Sequence, residues 1–336
     1  MPGGPALGAY GIWRSLVLLA LCLRLASPAA GEPSIVVFNP IVESSTPPWV
    51  FKVAFWRDPD VSDTLQERLD YRINLLANEL TKALGPDLVE CGYRDIKIYL
   101  IDDYRDLLTE RGKGEFHLLH CDPAAYLMGR LYPSPGFENW DPYDPILEEV
   151  PPEDSDERSC GIWIRTDSKI ENLSELKGAH IAAVDGHCLL GGVLQKAALA
   201  SPISSVGGEF QTTDCGSTSD AILRLITGFA TERPITAAFL PLRSPGVQKA
   251  RRALGLKRGE NLPIRLLEKF DGTDLPGNTL LASRILEQCG AAFLEKLTRF
   301  FLDQNDPWNW RTPDPIRSEK LERTLAPLFG RGGESP

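Results

Sequence analysis

A short apolar stretch that leads through a glycine-bearing loop into a helix constrains this chain more than any other feature. The stretch runs from Glu171 to Leu199, and its loop lies between Asp185 and Gly192. The first amides of a helix have no intrahelical partners and lie at the positive end of the helix dipole. The pattern therefore predicts a β-loop-α unit whose loop offers hydrogen-bond donors to a ligand. An ordinary connection that binds nothing is the alternative.

The preceding part of the chain alternates strand and helix signals. Apolar runs predict strands at Phe51–Phe55, Ile96–Leu100 and Phe116–His120. Leucines and isoleucines at helical spacing predict a helix from Asp63 to Leu84 that ends at Gly85-Pro86, and a short helix is expected at Tyr104–Glu110. A βαβαβ order of this kind predicts a mainly parallel sheet.

Parallel sheets bind ligands at the carboxyl ends of their strands. The residues that follow two of the predicted strands are therefore expected near a binding cleft: Trp56, Arg57, Cys121, Asp122 and Tyr126. Arg57 stands next to acidic residues, however, and such an arginine is also typical of a surface ion pair.

Further along, the segment Pro133–Asp156 is rich in proline and acidic residues, which predicts an insertion or a surface loop. Later elements are expected as strands at Gly161–Arg165, Ile235–Leu240 and Thr279–Ser283 and as helices at Asp220–Phe229 and Ala291–Asp303. We expect Trp308 and Trp310 to dock the C-terminal segment on the first sheet.

Residues 1–31 predict a signal peptide. A short apolar run, Ser15–Leu25, follows Arg14 and is interrupted by Arg24, and small residues follow near Ala29. The run is shorter than the ~20 apolar residues that span a bilayer, so export with cleavage is expected. Cys22 leaves a lipoprotein as the alternative.

Composition excludes some classes of function. The 336 residues carry a net charge of -10, and an acidic surface does not steer a polyanion, so nucleic acid is not an expected partner. A chain of this length fits two lobes and a leader better than one core. It contains no nucleophile elbow, P-loop, dinucleotide fingerprint or paired-histidine metalloenzyme motif, so an enzyme is not expected.

The order of these segments resembles the periplasmic substrate-binding proteins of phosphate, phosphite and phosphonate ABC transporters. That family has a strand, a long helix, a second strand, a Gly-Pro-Ala-Ala-Tyr segment, a Leu-Lys-Gly turn and a Ser-Thr-Ser-Gly ligand loop. The counterparts here are FKVAFWRD, TLQERLDYRINLLANELTKALG, IKIYLIDDY, GEFHLLHCDPAAY, LKGAHIAAVD and HCLLGG. The resemblance covers most of the mature chain.

The resemblance implies an α/β, two-lobe type 2 periplasmic-binding fold with a ligand cleft between lobes that close like a hinge. It implies a first lobe over residues 32–160, a second lobe over 161–267 and a return to the first lobe over 268–336. The expected function is that of a monomeric periplasmic protein, without a cofactor, that captures a small molecule or ion for an ABC permease. A sensor of a ligand such as arsenite that signals to a membrane histidine kinase and a conventional phosphate or phosphonate binder are the alternatives.

The ligand loops depart from the family pattern. Cys188, Leu189 and Leu190 precede Gly191 where the family has Ser-Thr-Ser, and Thr218 stands where a later family segment has histidine. A buried oxyanion needs donors for its lone pairs, and leucine side chains supply none. Weak or absent binding of phosphate and simple alkylphosphonates is therefore expected.

Thiols stand beside both ligand loops. Cys121 and Cys188 come from different lobes and are preceded by His120 and His187. Thiolate and imidazole select Cu(I), Zn(II) or a thiophilic metalloid, and a relative in the family binds arsenite. These four residues are the predicted soft-metal or metalloid site, and the full predicted ligand-binding set is Trp56, Arg57, Cys121, Asp122, Tyr126, His187, Cys188, Gly191 and Thr218.

Disulfides are the alternative role for the same thiols. In an oxidising periplasm the mature cysteines at positions 91, 121, 160, 188, 215 and 289 can form up to three bridges, whose pairing the sequence leaves open. His117 lies mid-strand and is expected to pack in the core.

Overall fold

The computed structural model of the chain describes residues 35–37, 49–57, 63–131, 142–150, 155–205, 209–228, 234–257, 259–304 and 308–329. The predicted signal peptide and Cys22 lie outside these residues. Among the helices described, none is both long and apolar enough to span a bilayer.

The described residues form strands and helices in alternation. The strands are β1 (Ile35–Val37), β2 (Val50–Trp56), β3 (Asp95–Ile101), β4 (Leu118–Cys121), β5 (Tyr143–Glu149), β6 (Ser159–Arg165), β7 (His180–Ala183), β8 (Gln211–Asp214), β9 (Ala237–Pro241), β10 (Ile264–Asp271), β11 (Thr279–Ser283) and β12 (Trp310–Arg311). The helices are α1 (Asp63–Glu90), α2 (Tyr104–Lys113), α3 (Pro123–Leu131), α4 (Leu194–Ser205), α5 (Thr218–Thr227), α6 (Pro245–Ala253), α7 (Ala291–Leu302) and α8 (Pro315–Phe329). A π-helical turn, Leu189–Val193, leads into α4.

Two sheets organise these elements. The first has the order β1-β3-β2-β4-β11-β5-β12, and the second has the order β10-β6-β9-β7-β8. β2 runs parallel to β3 and β4, as the βαβαβ order predicts, and β11 returns antiparallel to β4. This is the two-lobe α/β architecture expected from the sequence. The lobe limits at residues 160 and 267 stay predictions.

The two chain segments that cross between the sheets lie against one another. Glu149 N donates to Asn278 O at 2.8 Å, and Gly272 N donates to Arg158 O at 2.9 Å. A Cβ atom would lie 2.4 Å from Arg158 O if added at Gly272, and 2.1 Å from Glu149 O if added at Gly277. Only glycine allows the crossing segments to approach this closely.

Helix α1 does not end where the sequence predicts. It continues through Gly85 and Pro86. Leu88 is buried in the core of the first sheet, and a disulfide joins Cys91, just after the helix, to Cys289 with a Cα–Cα distance of 5.2 Å. Burial of the last turn and this bond offset the hydrogen bond that the proline lacks.

The predicted loop Pro133–Asp156 is wrong in part, because strand β5 lies within it. β5 pairs between β11 and β12, and Tyr143 and Leu147 are buried. Its proline, Pro145, lies opposite Leu281, at a shift in register where the pairing of β5 with β11 is irregular. The remainder of the predicted loop falls mainly on residues 133–141 and 151–154, outside the described part of the chain.

The C-terminal segment packs on the first sheet and also on helix α4. Trp308 stacks on Phe55 with ring centroids 5.0 Å apart, in the core of the first sheet, as predicted. Leu321 and Leu325 of α8 lie instead in an apolar cluster that includes Leu194 of α4. Helix α8 therefore bridges the two lobes.

Candidate functional site

A cavity of about 200 Å³ lies where loops of the two sheets meet. Its lining from the first sheet comes from the ends of β2 and β3 and the start of α2: Trp56, Asp102, Asp103, Tyr104 and Arg105. Its lining from the second sheet comes from residues after β7 and β8: Val184, Asp185, Cys188, Asp214 and Gly216. These are the carboxyl ends of strands that pair in parallel, where ligands of open α/β sheets bind.

Close backbone packing shapes the loop after β7. A Cβ atom added at Gly192 would lie 2.4 Å from Asp185 O, and one added at Gly191 would lie 2.9 Å from Val184 Cβ. Val184 N donates to Gly191 O at 3.1 Å. Gly191 therefore lies behind the cavity and holds the loop against the strand.

The buried carboxylate of Asp122 lies between the two lobes. Its Oδ1 accepts hydrogen bonds from Ala124 N at 2.7 Å and from the Tyr104 hydroxyl at 3.0 Å. Its Oδ2 accepts from Leu189 N at 3.4 Å, and the Cys188 thiol lies 3.9 Å away. Burial raises the pKa of Asp122, and the hydrogen bonds from Ala124, Tyr104 and Leu189 oppose that shift. The side chain of Asp122, in the first lobe, thus accepts hydrogen bonds from both lobes.

A second polar group lies on the second-lobe side of the cavity. Ligand atoms of Asp185, His187 and Asp214 lie within 4.8 Å of one another. Lys196 Nζ donates to Gly186 O at 2.9 Å beside them. Burial lowers the pKa of Lys196, and the charges of Asp214 and Asp185 oppose the shift. An ammonium group therefore already neutralises part of this negative charge.

The two predicted thiols belong to one apolar cluster. Cys121 is fully buried at the end of β4, whereas Cys188 is half-buried and lines the cavity. The His187 ring stacks on Tyr104 with centroids 6.1 Å apart. The structure therefore brings Cys121, Cys188 and His187 to one region.

His120 lies elsewhere. Its Nε2 is 3.1 Å from Glu149 Oε1, and its ring contacts Phe55 and Trp310. Neighbouring residues of a strand point to opposite faces, so His120 faces away from the cluster that contains Cys121. The structure does not bring it to the cavity.

The other predicted residues divide between the cavity and its surroundings. Trp56 lines the cavity and meets Tyr104 edge to face at 5.5 Å. Arg57 Nε donates to Asp102 Oδ1 at 2.6 Å, and this hydrogen bond raises the pKa of Arg57. Arg57 is thus engaged in the ion pair that the sequence offered as an alternative.

Tyr126 and Thr218 do not line this cavity. The sequence did not predict α3, which contains Tyr126 and turns it toward a separate cavity of about 540 Å³. Thr218 is buried in the first turn of α5. His117 accepts a hydrogen bond from Lys52 N and stacks on Phe51, in agreement with the expected packing role.

Sequence reasoning missed several lining residues. Asp102, Asp103 and Tyr104 directly follow β3, so the rule that selected Trp56 after β2 also identifies them. Asp214 ends β8, a four-residue strand of polar residues, which leaves no apolar signal in the sequence.

Known proteins resemble this chain in sequence and in fold. A family model described as "ABC transporter, phosphonate, periplasmic substrate-binding protein" matches residues 61–232, just over half of the chain. No curated protein matches. Among solved structures, PhnD1 from Prochlorococcus marinus (MIT 9301) in complex with methylphosphonate has a TM-score of 0.54 and 16% identity, covering 84% of this chain and 99% of that chain.

A second solved structure gives the same result. XAC2383 from Xanthomonas citri, bound to chloride ion, has a TM-score of 0.54 and 16% identity, and the match covers 83% of this chain and 98% of that chain. Identity at this level carries the fold and not the ligand. The family match and the two-lobe fold agree: this chain belongs to the periplasmic substrate-binding proteins of phosphonate-type ABC transporters, a family of binding proteins and not of enzymes.

Proposed function

We propose that this protein captures a small solute with a positively charged group in the cavity between its lobes and delivers it to an ABC permease. The observation that carries the proposal is the lining of the cavity, in which carboxylates outnumber cations. Among the described residues that line it, four are acidic and one is basic: Asp102, Asp103, Asp185 and Asp214, and Arg105.

Charge pairing leaves this excess in place. Arg57 pairs with Asp102, and Lys196 lies beside Asp185 and Asp214. Among the contacts described, the carboxylate of Asp103 accepts one hydrogen bond, from Arg105 N at 2.7 Å. Asp102 and Asp103 are exposed, and an ion pair between exposed groups contributes about 0.2–1 kcal/mol. An ammonium group gains this energy from the lining, and a phosphate loses it.

Two aromatic rings border the same space. Trp56 and Tyr104 both line the cavity, and both are almost buried, so only part of each ring is available to a ligand. Aromatic faces attract cations through the ring quadrupole. The volume of about 200 Å³ favours a compact solute.

Calorimetry with ethanolamine, choline, acetate and inorganic phosphate tests the sign of the preferred charge. The amines are expected to bind and the anions are not. Asp103→Asn removes one lining charge but keeps an oxygen for Arg105 N, and we expect it to raise the Kd for the amine by roughly threefold to tenfold.

Asp95→Asn is the matched control. Asp95 is also exposed and accepts a hydrogen bond from a neighbouring amide, Ile96 N at 2.9 Å, but it lies outside the cavity lining. Amine binding should not change in this variant. Tighter binding of acetate or phosphate than of either amine would contradict the proposal.

A soft ion is the second candidate ligand. Cys188 lines the cavity, Cys121 belongs to the same cluster, and the Asp185, His187 and Asp214 group lies close by. Arsenite or Cu(I) should then protect thiols in the native protein, with protection lost in Cys121→Ser or Cys188→Ser and retained in Cys215→Ser. Unchanged binding in both of the first two variants would exclude this ligand.

The receiving partner is proposed to be a permease, with a sensor histidine kinase as the alternative. Family membership supports the permease. A permease gene beside the gene for this chain agrees with transport, and a kinase gene in that position would favour sensing.

A further inference from the structure

Three helix starts converge on one side chain of this protein. Ala124 N belongs to the first turn of α3, Leu189 N to the π-helical turn that leads into α4, and the Tyr104 hydroxyl to the first residue of α2. All three donate to the carboxylate of Asp122, which is 5% exposed. Two of these donors are amides at helix starts, which are the usual donors to a bound anion, and the third is a side-chain hydroxyl.

Capping of α3 explains only part of this arrangement. Asp122 directly precedes α3, and the bond from Ala124 N is an ordinary N-cap bond. A cap uses one carboxylate oxygen, whereas here the second oxygen reaches Leu189 N in the other lobe. The arrangement therefore resembles a bound anion held from several sides.

We propose that Asp122 takes the place of an oxyanion ligand in the cleft, and that its carboxylate occupies donors that would otherwise bind a phosphate-like group. Asp122 lies behind Tyr104 and Cys188, two residues of the cavity lining. A free oxyanion that approached these donors would meet a buried negative charge. Asp122 thus excludes an oxyanion from these donors chiefly because its side chain occupies the position that the oxyanion would take.

The surrounding charges agree with an anion at this position. Arg158 is buried nearby, where burial lowers its pKa and the charge of Asp122 opposes that shift. Burial raises the pKa of Tyr104, as does the charge of Asp122, so its hydroxyl keeps the proton that it donates. The Tyr104 hydroxyl could donate to an inorganic oxyanion in the same way if the carboxylate were absent, whereas Arg158 donates to Pro276 O and would contribute only its charge.

The test uses the full chain and inorganic phosphate as the probe. Asp122→Gly removes the carboxylate and leaves the donors without an acceptor, so phosphate should bind at least roughly tenfold more tightly than to the wild-type protein, the effect of one charge-assisted hydrogen bond. Asp122→Asn is the matched control, because it fills the same space and should bind phosphate no better than the wild type.

Loss of folding in Asp122→Gly would also be informative. Phosphate supplies the missing acceptor, so it should raise the melting temperature of this variant or restore its folding, and sodium chloride at equal ionic strength should not. A folded Asp122→Gly protein that does not bind phosphate, an unfolded one that phosphate does not restore, or a wild-type protein that binds phosphate as tightly would each overturn the inference.

This inference rests on the proposed role of the cleft in ligand capture, but the two fail separately. Phosphate binding to Asp122→Gly reports only on the donors around residue 122. Amine binding to the wild-type protein reports on the cavity lining. If the wild type binds an amine but Asp122→Gly gains no phosphate binding, only the inference about Asp122 is rejected. If Asp122→Gly gains phosphate binding but the wild type binds no amine, only the cationic ligand is rejected.

Discussion

Gly277 lies against the carbonyl group of Glu149, so closely that an added Cβ atom would be 2.1 Å from the oxygen. Glu149 N also donates to Asn278 O in the same pair of segments. These are the segments through which the chain leaves the first sheet and returns to it. The contact therefore sets the distance between the two crossing segments, where a hinge between the lobes would have to lie.

Gly277→Ala is expected to lower the free energy of unfolding by about 2 kcal/mol or more, because the backbone must move to admit the methyl group. Gly85→Ala is the matched control. Apart from its chain neighbours, its Cβ would meet only Thr81 Cγ2 at 3.9 Å; the helix propensity of alanine is opposed by the ring of Pro86, which disfavours a helical backbone at the preceding residue, so stability should change by less than about 1 kcal/mol. Urea denaturation measures both changes, and equal effects would contradict the assigned role of Gly277.

His117 should make stability depend on pH. Burial, followed by the charge of Lys52, lowers the pKa of His117 to about 4 from its ordinary value of 6.5. The folded state therefore favours the neutral ring, and its contribution to stability is complete above pH 6.5 and is lost as the pH falls toward 4. The free energy of unfolding should fall by about 2–3 kcal/mol between pH 7 and pH 4.5 from this group alone.

His117→Asn separates this effect from other titrations. Its amide oxygen can accept the bond from Lys52 N, and it carries no proton in this range. The variant loses the stacking on Phe51 at every pH, but its unfolding free energy should vary less with pH than that of the wild type. Identical pH profiles for the two proteins would show that His117 is not the titrating group.

The disulfide should stabilise the folded protein, because it joins residues that are far apart in the sequence. It joins Cys91 to Cys289 across 198 residues, and thereby holds the end of α1 to the turn before α7. Replacement of both cysteines by alanine is expected to cost about 2–4 kcal/mol. Cys215→Ala is the control, because this half-buried thiol lies outside the disulfide. Equal melting temperatures of the double variant and the wild type would refute the prediction.

Two arginine–carboxylate pairs of the first sheet should differ in importance. Arg311 pairs with Glu148, whose side chain is 1% exposed, whereas Arg284 pairs with the exposed Asp144 at 3.1 Å. Arg311→Leu leaves a buried carboxylate without its cation and should cost about 3–5 kcal/mol. Arg284→Leu should cost about 0–1 kcal/mol. Chemical denaturation of the two variants compares them, and a reversed order would be inconsistent with the burial of Glu148.

Local sequence patterns correctly predicted the elements whose bounds depend only on nearby residues. The strand at Phe51–Phe55 and the helix at Ala291–Asp303 are confirmed within a residue or two, because apolar periodicity reports directly on which face is buried. Patterns failed where distant contacts override a local signal. Pro86 predicts a helix end, but the disulfide and buried Leu88 continue the helix past it.

The sequence by itself determined the alternation of strands and helices, the place of the ligand loops at strand ends and the family, because each depends on residues close together in the chain. Only the tertiary structure decided which side chains meet. It turned His120 away from Cys121, and it brought Asp122 to Leu189 N from 67 positions away. The first follows from the alternation of strand faces only because β4 extends to Cys121, one residue beyond the predicted strand, and the second depends on the packing of one lobe against the other, which no local pattern encodes.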